Sequence, residues 1–366
     1  MKIECVKEKL TAAITNAQRI TGKNLTLPVL SCILLEAKKS ELIIKATNLD
    51  LGIEIHLPVK VEKEGVVAVP GNILSTFISN LQDEKSIRLE LQEGNLLVST
   101  LHNSTLIKTL PTEDFPTIPV VTPDKSFKIS AKEFIRGLKA VWYSSATSSM
   151  KPELSSVYIY SSDDGVVFVA TDSFRLAEKQ VKVQKNGDFG QILIPFKNIP
   201  EIAKIFENID GEIEINLTKN QISISYNGIY LVSRVIDGVF PDYKQIIPKE
   251  SKTEVVVLKQ DLINSLKLAN IFGDKFNQVN MKALPKTKTF ELKTKNNDVG
   301  ESVNKLPAAF TGEEIEINFN YKYIVDCFQS IDADSVTLHF NGLNRPMVIR
   351  GVGDPSFMYL VMPMNK

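Results

Sequence analysis

Ile3-Glu4-Cys5-Val6-Lys7-Glu8-Lys9-Leu10-Thr11-Ala12-Ala13-Ile14-Thr15-Asn16-Ala17 sets two periodicities one after the other. Ile3 and Cys5 alternate as on a strand with one buried face, and Leu10, Ile14 and Ala17 follow at the four-then-three spacing of a buried helix face. The figure returns at Phe127, Ile129, Phe134, Leu138 and Val141, then at Val255, Val257, Leu262, Leu266 and Ala269, displaced by 124 and then 128 residues. Self-similarity at so long a period makes the chain a threefold repeat.

Other registers support the repeat. Val69-Pro70 leads into a helical run through Leu74, Phe77 and Leu81, and Ile194-Pro195 into one through Ile199, Ile202 and Phe206, with a blurred third copy from Phe319 through Tyr323. The triplet Ile87, Leu89, Leu91 recurs as Ile213, Ile215, Leu217 and as Val336, Leu338, Phe340. Each triplet meets a turn, at Glu93-Gly94-Asn95, Lys219-Asn220 or Asn341-Gly342, as hairpins require. Phe115-Pro116 and Phe240-Pro241 each precede a proline- and charge-rich stretch, 118–125 and 248–252, which reads as a linker. Domains of usual size are expected at 1–121, 122–250 and 251–366. The fold class is α+β, each third holding two helices and two small, mostly antiparallel sheets. Most tandem domains of this kind form a string of beads rather than a ring, so the repeat alone favours beads, and something beyond spacing is needed to choose the ring.

Composition narrows the functions. Lys plus Arg and Asp plus Glu are both 43, so no overall charge draws the chain to nucleic acid, and any DNA contact must be local. Cys5, Cys32 and Cys327 are odd in number, far apart and without a CxxC pair, which argues against a disulfide framework or a zinc site and for a reducing cytoplasm. Charges occupy the place where a signal peptide needs an apolar core, and no stretch reaches the length of a membrane span, so the chain is expected to stay inside the cell. His56, His102 and His339 form no ligand pair, there is no Gly-x-Ser-x-Gly elbow, and Gly351-Val352-Gly353 lacks the third glycine of a nucleotide loop. Neither catalysis nor a cofactor is expected. An adhesin lacks its export signal here, while a cytosolic scaffold remains the rival reading.

Ala170-Thr171-Asp172-Ser173-Phe174-Arg175-Leu176-Ala177, Phe240-Pro241-Asp242-Tyr243 and Leu360-Val361-Met362-Pro363-Met364, with Leu25-Thr26-Leu27-Pro28-Val29-Leu30 and Asp114-Phe115-Pro116, closely resemble the beta subunit of bacterial DNA polymerase III along the whole chain. The resemblance implies the DNA clamp fold, closed as a head-to-tail homodimer into a six-domain ring around double-stranded DNA. It implies helices lining the hole, where Lys132, Arg136 and Lys139, spaced i, i+4 and i+7 opposite Phe134, Leu138 and Val141, would offer phosphates a basic face without sequence preference. Lys23, Asn24, Ser148 and Lys151 match loops that touch DNA in the family, with Asn24 standing where a basic residue is common. A groove for short Leu/Phe-containing client peptides is implied at Leu154, Thr171, Phe174, Arg175, Leu176, Pro241, Ile246, Leu360, Met362, Pro363 and Met364. Its clients would be the polymerase III catalytic subunit, the clamp loader, other polymerases and repair proteins. Gln245 and Asn365 stand where relatives often carry Arg. The dimer contact is implied at Ile271 and Phe272, against Leu106 and Ile107 of the other copy, and the segment 297–305 is poorer in acids than the edge relatives often show.

Overall fold

The computed structural model describes residues 1–22, 26–82, 84–148, 150–183 and 189–364. Each repeat start forms as its periodicity requires. Strands Lys2–Val6, Lys125–Ser130 and Thr253–Leu258 run directly into α-helices, and the predicted apolar positions on those helices are buried. The described residues contain six α-helices, two per repeat: α1 (Lys7–Ile20), α2 (Gly71–Asn80), α3 (Ala131–Val141), α4 (Ile199–Phe206), α5 (Lys259–Ile271) and α6 (Tyr321–Cys327). Burying each large apolar side chain on these faces contributes about 1.5–3 kcal/mol. α3 also carries Gly137, a helix-interior glycine whose absent Cβ would lie 2.3 Å from the Phe168 ring. The close packing of helix on sheet therefore outweighs the propensity cost of roughly 1 kcal/mol.

Two expected faces shift. On α2, Ile78 rather than Phe77 is buried with Leu74 and Leu81, because Phe77 turns half out of the core. In the third repeat Phe319 belongs to strand Ile315–Asn320, and α6 begins only after Asn320, whose Oδ1 accepts from Lys322 N at 3.0 Å. That side-chain cap fixes the helix start two residues later than the apolar run suggests.

Strand order follows one rule three times. The first strand of a repeat joins its last three in one sheet, and the middle four form another. The expected six small sheets become four, because neighbouring repeats share sheets. Ile229–Arg234, last in the second repeat, pairs antiparallel with Leu51–Pro58 of the first, Leu231 opposite Ile53. Phe357–Val361, last in the third, pairs in the same way with Arg175–Val181 of the second, Leu360 opposite Leu176. Edge groups that would otherwise stay unpaired thus close each junction.

The chain forms two compact units, Met1–Lys132 with Pro200–Val235, and Glu133–Ile199 with Ile236–Lys366, so the middle repeat is divided between them. The first holds the five- and eight-stranded sheets and the second the nine- and four-stranded ones. Within the first, the segment read as a linker is not free. Ile118 and Val121 are buried against Val232, and Val121 N donates to Tyr230 Oη at 2.9 Å.

Candidate functional site

The Thr171-Asp172-Ser173-Phe174-Arg175 segment is a tight turn between strands Gly165–Thr171 and Arg175–Val181. Asp172 Oδ1 accepts from Phe174 N (2.9 Å) and Arg175 N (3.0 Å), while Thr171 Oγ1 donates to the Arg175 carbonyl at 2.7 Å. Ser173 takes φ 77°, the left-handed region, at the tip. The turn recurs in the other repeats. In the first repeat Thr47 Oγ1 donates to the Leu51 carbonyl, Asn48 Oδ1 accepts from Asp50 N and Leu51 N, and Leu49 sits at φ 76°. In the third, Asn296 Oδ1 accepts from Asp298 N. Asn48, Asp172 and Asn296 fall at equal intervals, a register that apolar patterning does not reveal because its signal is a side-chain oxygen.

The second turn meets the C-terminal segment. Past strand Phe357–Val361, Met362 N donates to the Phe174 carbonyl and Met364 N to the Asn318 carbonyl, both at 2.8 Å. The segment is therefore stitched between the nine-stranded sheet and the four-stranded sheet of the second unit. Residues almost two hundred apart in sequence become neighbours.

Beneath them lies one apolar face of the nine-stranded sheet, formed by Val167, Val169, Leu176, Leu193, Val348, Met358 and Leu360. Phe240 and Tyr243 are buried against it, and Ile236, Ile247, Tyr158, Tyr160 and Met362 pack at its margin. The implied groove residues separate into two classes. Leu176, Leu360, Leu154 and Thr171 are buried and form floor or foundation rather than open wall. Phe174 (61% exposed), Ile246 (48%) and Pro241 are exposed, and Met362, Pro363 and Met364 are half-buried, so these can be touched by a partner. Tyr158, Tyr160 and Tyr243 were missed as contributors, although the period-two spacing of the first two on strand Ser156–Ser162 marks one sheet face.

Arg175 is engaged within the fold. Its Nε donates to Asp172 Oδ2 at 3.0 Å, its Nη1 donates to Asp326, and its guanidinium lies 4.6 Å from the centre of the Tyr323 ring. Burial works against its charge, but Tyr359, Asp326 and Asp172 outweigh it and hold its pKa above the usual arginine range. Arg175 thus braces the turn from below and stays charged. Gln245 Nε2 donates to Asp242 Oδ2 at 2.8 Å, and Asn365 lies outside the described residues.

On α3, Lys132, Arg136 and Lys139 are exposed on the face opposite buried Phe134, Leu138 and Val141. Arg136 Nη2 pairs with Asp332 at 2.9 Å, an exposed ion pair worth at most about 1 kcal/mol and open to exchange. Ser148 and Lys151 are exposed in the loop after α3, where Lys151 O accepts from Leu154 N at 3.0 Å; Lys23 and Asn24 lie outside the described residues.

Among the edge strands of the four sheets, two stand at the positions that pair at the junctions between repeats. Strand Ser104–Ile107 ends the five-stranded sheet and Gly300–Pro307 ends the four-stranded one. Leu106 is 52% exposed on the first, but Ile107 is 5% exposed and points into its own core, so it is not an outward contact. Near the second, Ile271 at the end of α5 is 63% exposed and Phe272 is half-buried. Glu301 pairs with Lys293 (3.6 Å) and Lys305 with Glu291 (3.2 Å) inside the four-stranded sheet, so these charges on this edge are already matched.

No helix among the described residues is long and apolar enough to cross a membrane, and no group of three or more His, Cys, Asp or Glu is placed to hold a metal. The three thiols are buried, and burial, then Glu4, pushes Cys5 up to about 12.

Family models match all three repeats in order: the N-terminal domain of the DNA polymerase III beta subunit at residues 1–119, its central domain at 128–242 and its C-terminal domain at 244–365. The chain is 28% identical over 378 residues to the beta sliding clamp of Rickettsia bellii, covering 100% of both, and 25% identical to that of Synechococcus elongatus, covering 100% of this chain and 99% of the relative. Among solved structures it is similar to the DNA polymerase III beta subunit of Thermotoga maritima, with a TM-score of 0.94, 26% identity and coverage of 100% and 99%. It is also similar to a sliding clamp from Bartonella birtlesii bound to griselimycin, with a TM-score of 0.93, 26% identity and full coverage of both chains.

Proposed function

Since the chain belongs to the DNA polymerase III beta subunit family through all three of its repeats, we propose that it is a sliding clamp: a non-catalytic ring that encircles double-stranded DNA and tethers polymerases and repair proteins to it. The observation that supports the ring is a pair of sheet edges equivalent to the strands that pair at the junctions between repeats. Inside the chain, the last strand of one repeat twice pairs with the middle sheet of the repeat before it. Ser104–Ile107 and Gly300–Pro307 are the same two positions left over, and pairing them between two copies would satisfy both. A head-to-tail homodimer repeats the junction twice more and covers Leu106, Ile271 and Phe272. The match spans 1–119 and 128–242 bracket a boundary at 121/122, whereas the boundary at 250/251 rests on the proline- and charge-rich segment 248–252 and falls a few residues beyond the break between the matches at 242 and 244.

Encirclement answers a physical problem, because a protein that grips DNA tightly enough to stay cannot move, whereas one closed around it needs no grip. The exposed face of α3, with Ser148 and Lys151 in the loop after it and with Lys23 and Asn24, would then supply diffuse, salt-sensitive attraction to phosphates. Phe174, Pro241, Ile246, Met362, Pro363 and Met364 form the accessible rim of a groove floored by Leu176 and Leu360. Leu or Phe side chains of the polymerase III catalytic subunit, the clamp loader, other polymerases and repair proteins would seat there, with the methionines adapting to each. A protein working on chromosomal DNA in a bacterium acts in the cytoplasm.

The test is topological. Once loaded, the protein should stay on nicked circular DNA and be lost when that DNA is linearised. A scaffold that binds DNA by contact alone would show equal retention on both. With Lys132, Arg136 and Lys139 changed to glutamine, the dependence of DNA association on salt should flatten by about three phosphate contacts while the dimer persists. An unchanged salt slope would place this helix face away from DNA.

A further inference from the structure

We propose that Tyr243 is the positioning residue of the client groove: its phenol latches the 236–247 segment onto the sheet and so holds Pro241 and Ile246 beside the Leu176, Leu360 and Met362 surface. The inference rests on the groove reading above and adds to it the part that shapes the site.

The segment arrives with Ile236 N donating to the Leu193 carbonyl at 2.9 Å. The backbone bonds of its middle, Tyr243 N to Pro241 O (2.7 Å) and Ile247 N to Lys244 O (3.4 Å), close on the segment itself. Side chains do the fastening. Phe240 stacks on Tyr158 with centroids 4.7 Å apart and planes 7° from parallel, and meets Tyr243 edge-on at 6.2 Å. Stacking restrains the segment in height above the sheet but tolerates sliding, since offset ring pairs are close in energy. The phenol supplies the direction that stacking lacks. Tyr243 Oη donates to Glu178 Oε2 at 2.5 Å and lies 2.9 Å from Tyr160 Oη.

Proton order follows from these contacts. The Tyr243 proton is committed to the carboxylate, so the Tyr160 hydroxyl must donate to Tyr243, giving a directed chain Tyr160 to Tyr243 to Glu178. Burial, then the Glu178 carboxylate, pushes Tyr243 far above the ordinary phenol range, which keeps that proton in place. Glu178 lies two residues from Leu176 on the same strand and therefore on the same face, so the anchor and the groove floor share one rigid element. Pro241 and Ile246 flank Tyr243 and are exposed. Fixing Tyr243 fixes both, and the client meets a formed rim rather than one it must order at its own cost.

The experiment uses the full-length protein and a labelled Leu/Phe-containing peptide followed by fluorescence anisotropy and stopped-flow dissociation. Tyr243→Phe keeps the ring and removes both phenol bonds. It should weaken the peptide by about tenfold, mostly through faster dissociation, with dimer mass and circular dichroism unchanged. Glu178→Gln retains a carbonyl oxygen that can accept from Tyr243 and should bind within about threefold of wild type, whereas Glu178→Leu should match Tyr243→Phe. The double variant Tyr243→Phe/Glu178→Leu should be no weaker than either single one, as one shared contact requires. Full affinity in Tyr243→Phe, or simple addition of the two losses, would overturn the latch. A variant lacking Met362 to Lys366 runs in parallel. If it binds peptide normally, the groove reading itself falls and the latch with it. If it loses the peptide while Tyr243→Phe keeps it, only the latch falls.

Discussion

With Ile271 and Phe272 both replaced by alanine, the protein should sediment as a monomer at low micromolar concentration, where the unaltered chain of 40.8 kDa is expected at twice its mass. Ile271 is largely exposed in the single chain, so any burial it gains in a dimer would contribute to association and not to folding. Phe272 is half-buried, lying 3.6 Å from where a Gly300 side chain would begin, and a partner would complete its burial. Losing both costs about 2–4 kcal/mol at each interface, and a two-copy ring has two interfaces, so dimer affinity falls by about a thousandfold or more. Circular dichroism should stay unchanged, because the fully buried face of α5, Leu262, Leu266 and Ala269, is untouched. A double variant that remains dimeric at that concentration would remove α5 from the interface.

Deletion of Met362 to Lys366 should abolish binding of client peptide, a loss of at least about a hundredfold, and leave the dimer intact. The cut falls just after strand Phe357–Val361, so the nine-stranded sheet keeps its ladder while the bonds from Met362 N to Phe174 and from Met364 N to Asn318 disappear. Peptide titration beside sedimentation separates the outcomes: retained affinity defeats the groove, and joint loss of dimer and affinity reports a damaged fold. A charged residue at Leu176 or Leu154 is a poorer probe than their place in the motif suggests. Both are buried, and an unpaired charge there would cost several kcal/mol of stability before any client arrived.

Wherever apolar spacing carries the information, the repeat was legible. Leu10, Ile14 and Ala17 and their two sets of counterparts are buried as read, since burial is what that spacing encodes. Sheet sharing was not legible, because Leu360 opposite Leu176 is a pairing of strands from different repeats, and no local pattern names a strand's distant neighbour. The groove was reached by resemblance rather than by chemistry. Phe174 and Met362 look like turn and tail in isolation, and only the backbone bond between them makes a site. Ile107 and Leu106 show the same limit at the scale of one residue, where register alone decides which of two apolar neighbours faces outward.

The two unmatched edges, Ser104–Ile107 and Gly300–Pro307, lie on the same polypeptide, and this has a kinetic meaning. When two copies join at one seam, the remaining pair of edges is already tethered, and it meets at an effective concentration set by the protein itself rather than by the solution. The second seam therefore forms with little further loss of translational freedom. Conversely, parting one seam would leave the other holding, so one seam could open and reclose without the two copies separating. Passage of DNA into the ring then requires work against a single seam, and the cell need not rebuild the ring from free chains each time one is placed on DNA.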